Sequence, residues 1–170
     1  MLNPTAAILI IGDEILSGRT RDSNMHYLSC ELTKIGIDLQ EARFIPDNAA
    51  KIIDDVRCLS SKYDYVFTSG GIGPTHDDIT ADCIAAAFET EISIREDAFK
   101  LLENYYSEQN IDFNSARQRM ARIPNGAKLI DNPISVAPGF YLNNVFVMAG
   151  VPNIFQSMVQ SILPLLLNGK

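Results

Sequence analysis

The sequence predicts an α/β fold around a mostly parallel sheet. Three observations carry this. Ala6 to Ile11 is an unbroken apolar run, as expected of a strand covered on both faces. Strand and helix patterns then alternate as βαβαβ, an order that implies parallel strands joined by right-handed crossovers. Two later strands end in glycine, at Gly70 and Gly150, which places both turns where open α/β sheets bind ligands.

The elements follow in order. After the first strand, Ser23 or Asn24 can cap a helix through about Ile35, and Gly36 suits its C-terminal end. Ile37 to Ile45 reads as the second strand. Asn48 can cap a helix to about Lys62, with Ile52, Ile53, Val56 and Leu59 on its apolar stripe. Tyr65 to Thr68 is the third strand, and a helical run follows from Ala81 to Phe88. Glu96 to Gln109 is a charged helix with Phe99, Leu102 and Tyr106 as its stripe. Asn114 to Ala121 is a shorter helix in a stretch carrying Arg117, Arg119 and Arg122. Lys128 to Ile130 and Gly139 to Leu142 read as strands. Asn143-Asn144 fits a two-residue hairpin turn into Val145 to Met148, because Asn tolerates positive φ. A final amphipathic helix runs from about Ile154 to Leu163.

With 170 residues the chain suits one domain, 1–170, with enough length to bury a core. The net charge is −7 and the basic residues are scattered, which argues against a duplex nucleic-acid partner. The N-terminus has no basic flank or long apolar run, and Ile162 to Leu167 is too short for a membrane span. Cys30, Cys58 and Cys83 lack metal-site spacing and read as buried free thiols of a cytosolic protein.

The chemistry concentrates after the strands. Thr68-Ser69-Gly70-Gly71-Ile72-Gly73-Pro74-Thr75-His76-Asp77-Asp78-Ile79-Thr80 joins a strand to a helix through three glycines. Such a turn lets backbone N–H groups approach an anion beside a helix N-terminus. Two aspartates beside a phosphate would repel it without a cation between them, so the pairing suggests a phosphate–metal–carboxylate arrangement. A glycine turn with Asp77 or Asp78 as the helix cap explains the same residues. Gly12-Asp13-Glu14 sets two acids directly after a buried strand, either as a solvated turn or as site residues. Asp47, in Pro46-Asp47-Asn48, is accounted for by helix capping alone. Asn132 to Phe140 is a proline-bracketed loop, read first as a rigid turn. His26 reads as a surface helix residue, whereas His76 lies within the glycine loop. The first turn lacks G-x-G-x-x-G, and no G-x-x-x-x-G-K-[ST] occurs, so neither a dinucleotide fingerprint nor a P-loop is present.

Taken in order, Gly12-Asp13-Glu14 to Gly18-Arg19, Asp22-Ser23-Asn24, Thr68 to Thr80, Asn132 to Phe140 and Gly150-Val151-Pro152 resemble the CinA-type molybdopterin-binding domain. The resemblance extends, more distantly, to MoaB, MogA and the third domain of MoeA. It spans nearly the whole chain. Ala149 stands where a proline is usual. CinA-type proteins continue beyond this length, into a separate nicotinamide-mononucleotide deamidase domain.

The resemblance implies a three-layer α/β/α fold and assigns roles by position. Asp78 matches a catalytic or metal-linked carboxylate, Asp47 a second catalytic aspartate, and Glu14 a metal-linked acid. Gly70, Gly71, Gly73 and Thr75 match the phosphate-contacting loop, with Ser69 and Asp13 in the same ligand-binding set. It further implies a divalent cation (Mg²⁺, Mn²⁺ or Co²⁺) and a pterin or nucleotide phosphate, molybdopterin or a nucleotide, as ligand. Three activities are compatible: metal-dependent pyrophosphate hydrolysis of the ADP-ribose or FAD type, adenylylation of molybdopterin, or ligand binding without turnover. A homo-oligomer is expected, because the last helix and Leu165 to Leu167 carry more apolar surface than one terminal helix usually hides.

Overall fold

The computed structural model describes residues 2–167 and 169. The elements run β1 (Thr5–Ile11), α1 (Asp13–Leu16), α2 (Asn24–Lys34), β2 (Asp38–Ile45), α3 (Ala49–Lys62), β3 (Tyr65–Ser69) and α4 (Thr80–Ala87). They continue with β4 (Ile92–Ile94), α5 (Glu96–Glu108), α6 (Ser115–Gln118), a 3-10 turn (Arg119–Ala121), β5 (Arg122–Pro124), β6 (Lys128–Ile130), β7 (Gly139–Leu142), β8 (Val145–Met148) and α7 (Pro152–Ile162).

A six-stranded sheet has the order β2-β1-β3-β8-β7-β6. β2, β1, β3 and β8 are parallel; β7 runs antiparallel to β8, and β6 pairs antiparallel with β7. The parallel run explains the apolar texture of β1, which is buried from Ala6 to Ile11. Side chains of β1 alternate between two cores. Ala7, Leu9 and Ile11 join Ile52, Val56, Leu59 and Ile84 under α3 and α4. Ala6, Ile8 and Ile10 join Leu28, Leu32, Phe155, Met158 and Ile162 under α2 and α7. The result is the expected α/β/α sandwich.

Local chemistry sets the joints. The Asn48 side chain accepts the Lys51 N–H at the start of α3, and Gly36 closes α2 at φ +74°. Asn143 takes φ +51° in the hairpin. The Asn144 amide pins that turn to the carbonyls of Ser60 and Tyr63.

Four expectations are corrected. β4 and β5 form a separate antiparallel pair that the sequence did not suggest. The Asn114 helix stops at Gln118 and tightens into the 3-10 turn. Cys30 and Cys58 are exposed, and only Cys83 is buried, where burial pushes its thiol up to about 11. The apolar side of α7 is not spare surface: Phe155, Met158, Val159, Ile162 and Leu166 are buried in this chain's own core. Leu165 and Leu167, by contrast, stay exposed, so only the helix part of the surface expected for a homo-oligomer is covered. Among the described residues, no helix is long and apolar enough to cross a membrane.

Candidate functional site

Because β2, β1 and β3 are parallel, their C-terminal turns open on one sheet edge. The chain leaves β1 for β2 on one side and returns to β3 on the other, so the β1/β3 boundary is a switch point. There the Gly12 N–H is held by the Ile45 carbonyl and the Gly70 N–H by the Met148 carbonyl, each at 3.1 Å. Gly70 (φ +103°) and Gly71 (φ +77°) need the left-handed region that glycine occupies without strain.

A cavity of about 380 Å³ opens at this point, and Asp13, Glu14, Asp47 and Asp78 all line it. Asp13 and Asp47 lock their turns together. Asp47 Oδ2 accepts the Asp13 N–H, and Asp13 Oδ1 accepts the Asp47 N–H, both at 3.1 Å. Burial lifts the Asp47 carboxyl above its ordinary range. Neighbouring Asp13, Glu14 and Asp78 push the same way, against the Asp13 N–H. Asp78 is held by Thr75, whose N–H and hydroxyl both donate to Asp78 Oδ2. It does not cap α4. That helix starts at Thr80, whose N–H donates to the Gly71 carbonyl and whose hydroxyl donates to the Gly70 carbonyl. His76 and Asp77 line the cavity but remain exposed.

A second cavity, of about 520 Å³, adjoins the first through Glu14, Gly71 and Asp78. Its walls include Tyr106, Met120, Val151 and Ile154 as well as Gly70 and Gly73. One compartment is acidic and the other is apolar, with two carboxylates between them. The proline-bracketed loop forms part of the apolar wall through Asn132, Ser135 and Ala137. Asn132 braces it: its carbonyl oxygen accepts the N–H groups of Ile134 and Ser135, and its amide donates to Ser135 Oγ and the Ala137 carbonyl.

Most of the sequence-predicted set therefore meets at one place. Ser69 stands apart: it is buried and lines neither cavity. It takes part through Asn24, whose amide donates to Ser69 Oγ at 2.8 Å and to the Gly150 carbonyl at 3.0 Å. The sequence offers Ser23 or Asn24 as the helix cap, but Asp22 accepts the N–H groups of Asn24 and Met25 instead. Tyr106 and Met120 were also missed as site residues. They come from segments distant in sequence, which only the tertiary fold brings here.

Among the described residues, no group of three or more His, Cys, Asp or Glu side chains forms a cage for a metal ion. The oxygen-only donor set nevertheless fits a hard cation of the Mg²⁺ type. Such an ion keeps several waters and is commonly held by one or two carboxylates together with substrate phosphates.

Comparison with known proteins agrees with this fold. Residues 7–168 match the model of the probable molybdopterin binding domain. A protein of Metallosphaera sedula is 36% identical over 164 residues, covering 94% of this chain and 62% of its own length. The chain thus spans less than two thirds of that relative. A probable FAD synthase of Caenorhabditis elegans is 36% identical over 167 residues, covering 87% of this chain and 32% of its own. Among solved structures, CinA from Thermoplasma acidophilum superposes with a TM-score of 0.85 at 29% identity, over 93% of this chain and 96% of that one. MoaB from Thermus thermophilus shares the fold, at a TM-score of 0.62 and 15% identity over 96% of this chain and 91% of that one. A parallel switch point, a glycine loop over carboxylates and a family match along nearly the whole chain lead to one conclusion: the chain belongs to the molybdopterin-binding-domain family.

Proposed function

We propose that this CinA-like domain is a metal-dependent hydrolase of a pyrophosphate bond in a nucleotide substrate of the ADP-ribose or FAD type. One observation carries the reading: five carboxylates share a cavity with the glycine loop, and that cavity runs into an apolar compartment of about 520 Å³. The relative named as a probable FAD synthase supports a nucleotide ligand. An inert anion binder has little use for five acids around its ligand.

In this reading the ring of the substrate lies against Tyr106 and Met120, and its diphosphate crosses the Gly71–Gly73 turn. Glu14 and Asp78 would hold the divalent cation. When bound, it neutralises phosphate charge and polarises the phosphoryl oxygens. Asp47, with its raised carboxyl, accepts the proton of the attacking water. The water oxygen bonds to phosphorus, the bond from phosphorus to the bridging oxygen breaks, and two phosphate monoesters leave. Asp13 positions Asp47 through their paired hydrogen bonds.

The test is incubation with ADP-ribose, with FAD, and with ATP plus molybdopterin, each with and without Mg²⁺, Mn²⁺ or Co²⁺. Metal-dependent release of AMP from ADP-ribose or FAD is expected. Adenylylated molybdopterin as the sole product would make the domain an adenylyltransferase. Saturable binding without any product would make it a binding module.

A further inference from the structure

Three arginines follow α5 in sequence, and two have evident partners. Arg117 donates to the Asp112 carbonyl at 2.5 Å and lies over the Tyr106 ring, 5.2 Å from its centroid. Arg122 makes a two-pronged pair with Asp82, at 2.9 and 2.8 Å. Arg119 differs. Its Nε is buried without a hydrogen-bond partner, and no carboxylate of the described residues pairs with it. Leaving a buried donor of a charged group unsatisfied carries the full desolvation penalty of that group.

Its position gives the unpaired donor a meaning. Arg119 lines a small recess, about 20 Å³, against Gly71, Ile72, Gly73, Asp78 and Met120. The same five residues line the 520 Å³ compartment. The guanidinium therefore stands at the glycine turn on the side away from Asp13 and Asp47, which line only the acidic cavity. A diphosphate crossing that turn meets five carboxylates in a chain of net charge −7. A cation between the acids and the phosphate balances one side only. An arginine fork suits phosphate oxygens, and its planar donors favour two-point contact.

We propose that Arg119 is a substrate-binding residue that grips a phosphoryl oxygen of the diphosphate from the side opposite the carboxylates. The proposal rests on the pyrophosphate reading above. It predicts a trade between affinity and stability. Without ligand, the unpaired guanidinium contributes no ion pair to the fold, so an apolar replacement of similar length costs little. With ligand, it supplies charge that no other wall residue of the recess spares, since Arg122 is paired with Asp82.

The test uses calorimetric binding of methylenediphosphonate, an unhydrolysable diphosphate, with and without Mg²⁺, together with thermal melting. Arg119→Met is expected to bind the probe at least tenfold more weakly while melting no lower than the parent. Arg119→Lys, which keeps charge but loses the fork, is expected to bind threefold or more weakly at the parent's melting temperature. It carries the test alone if the Met variant does not fold. Parent-like affinity in the folded variants overturns the role of Arg119 and leaves the pyrophosphate reading standing. A parent protein that binds no methylenediphosphonate with or without Mg²⁺ overturns both. Lower melting of both variants at unchanged affinity shows Arg119 to be structural and also overturns it.

Discussion

One oxygen of Asp78, Oδ2, accepts both the backbone N–H and the hydroxyl of Thr75, each at 2.9 Å. The carboxylate is thus oriented by its own loop and owes nothing to helix capping. An asparagine can keep both contacts through its carbonyl oxygen, but it lacks the charge that a cation needs. Asp78→Asn is expected to melt within a degree or two of the parent and to lose two or more orders of magnitude in metal-dependent turnover. That corresponds to about 3 kcal/mol of transition-state stabilisation. Normal turnover in a stable variant would end the catalytic assignment.

Two neighbouring glycines should respond differently. Gly71 sits at φ +77°, and a Cβ there would run into the Thr80 hydroxyl. Gly71→Ala should lose about 2 kcal/mol or more through strain and through displacement of Thr80 from the Gly70 carbonyl. Gly73 carries no such φ, and its Cβ would meet Asp78 Oδ2 at 2.8 Å. Gly73→Ala should therefore retain most of its stability and lose activity, because the carboxylate must move. Denaturant titration and turnover on the same two samples separate the effects.

Asn24 joins two strand ends that are far apart in sequence, and it is only 2% exposed. Asn24→Ala leaves Ser69 and the Gly150 carbonyl without that donor. A loss of about 2 kcal/mol is expected from the unsatisfied groups. Ligand affinity should also fall, since Gly70 and Gly150 both line the apolar compartment. Unchanged urea midpoints would show that the tie is dispensable.

Away from the site, the Tyr63 hydroxyl, with Arg43 and Lys62, holds the Glu41 carboxyl down at about 2 from an ordinary 4.5. The folded value lies below the unfolded one, so the stabilisation is complete above about pH 4.5 and is lost as pH falls towards 2. Glu41→Gln is expected to be less stable at neutral pH and to flatten the acid dependence within that window. Melting temperatures from pH 2 to 7 check it; parallel curves for parent and variant would refute it.

Sequence patterns exposed the scaffold where the signal was local. The β1 run, the Asn48 cap and the Asn143-Asn144 hairpin each depend on residues within a few positions. β4 and β5 were invisible because each is three residues long and each pairs with a distant partner, one of them containing Pro124. The carboxylates were legible because each directly follows a strand or a glycine turn. Tyr106, Met120 and Arg119 were not assigned to the site, because a helix stripe and a basic run look the same whether they face a core, solvent or a ligand. The apolar residues of α7 show the converse: their number was plain, but their burial against β8 and α2 required the fold.

The acidic and apolar compartments overlap at Glu14, Gly71 and Asp78, while Tyr106, Met120, Val151 and Ile154 belong to the apolar one alone. Substitutions among those four can remodel what the wall accepts without disturbing a single acid. A scaffold wired this way can change the shape of its apolar wall while its acidic half stays put. In the laboratory, those four positions are the ones to randomise when seeking a new substrate.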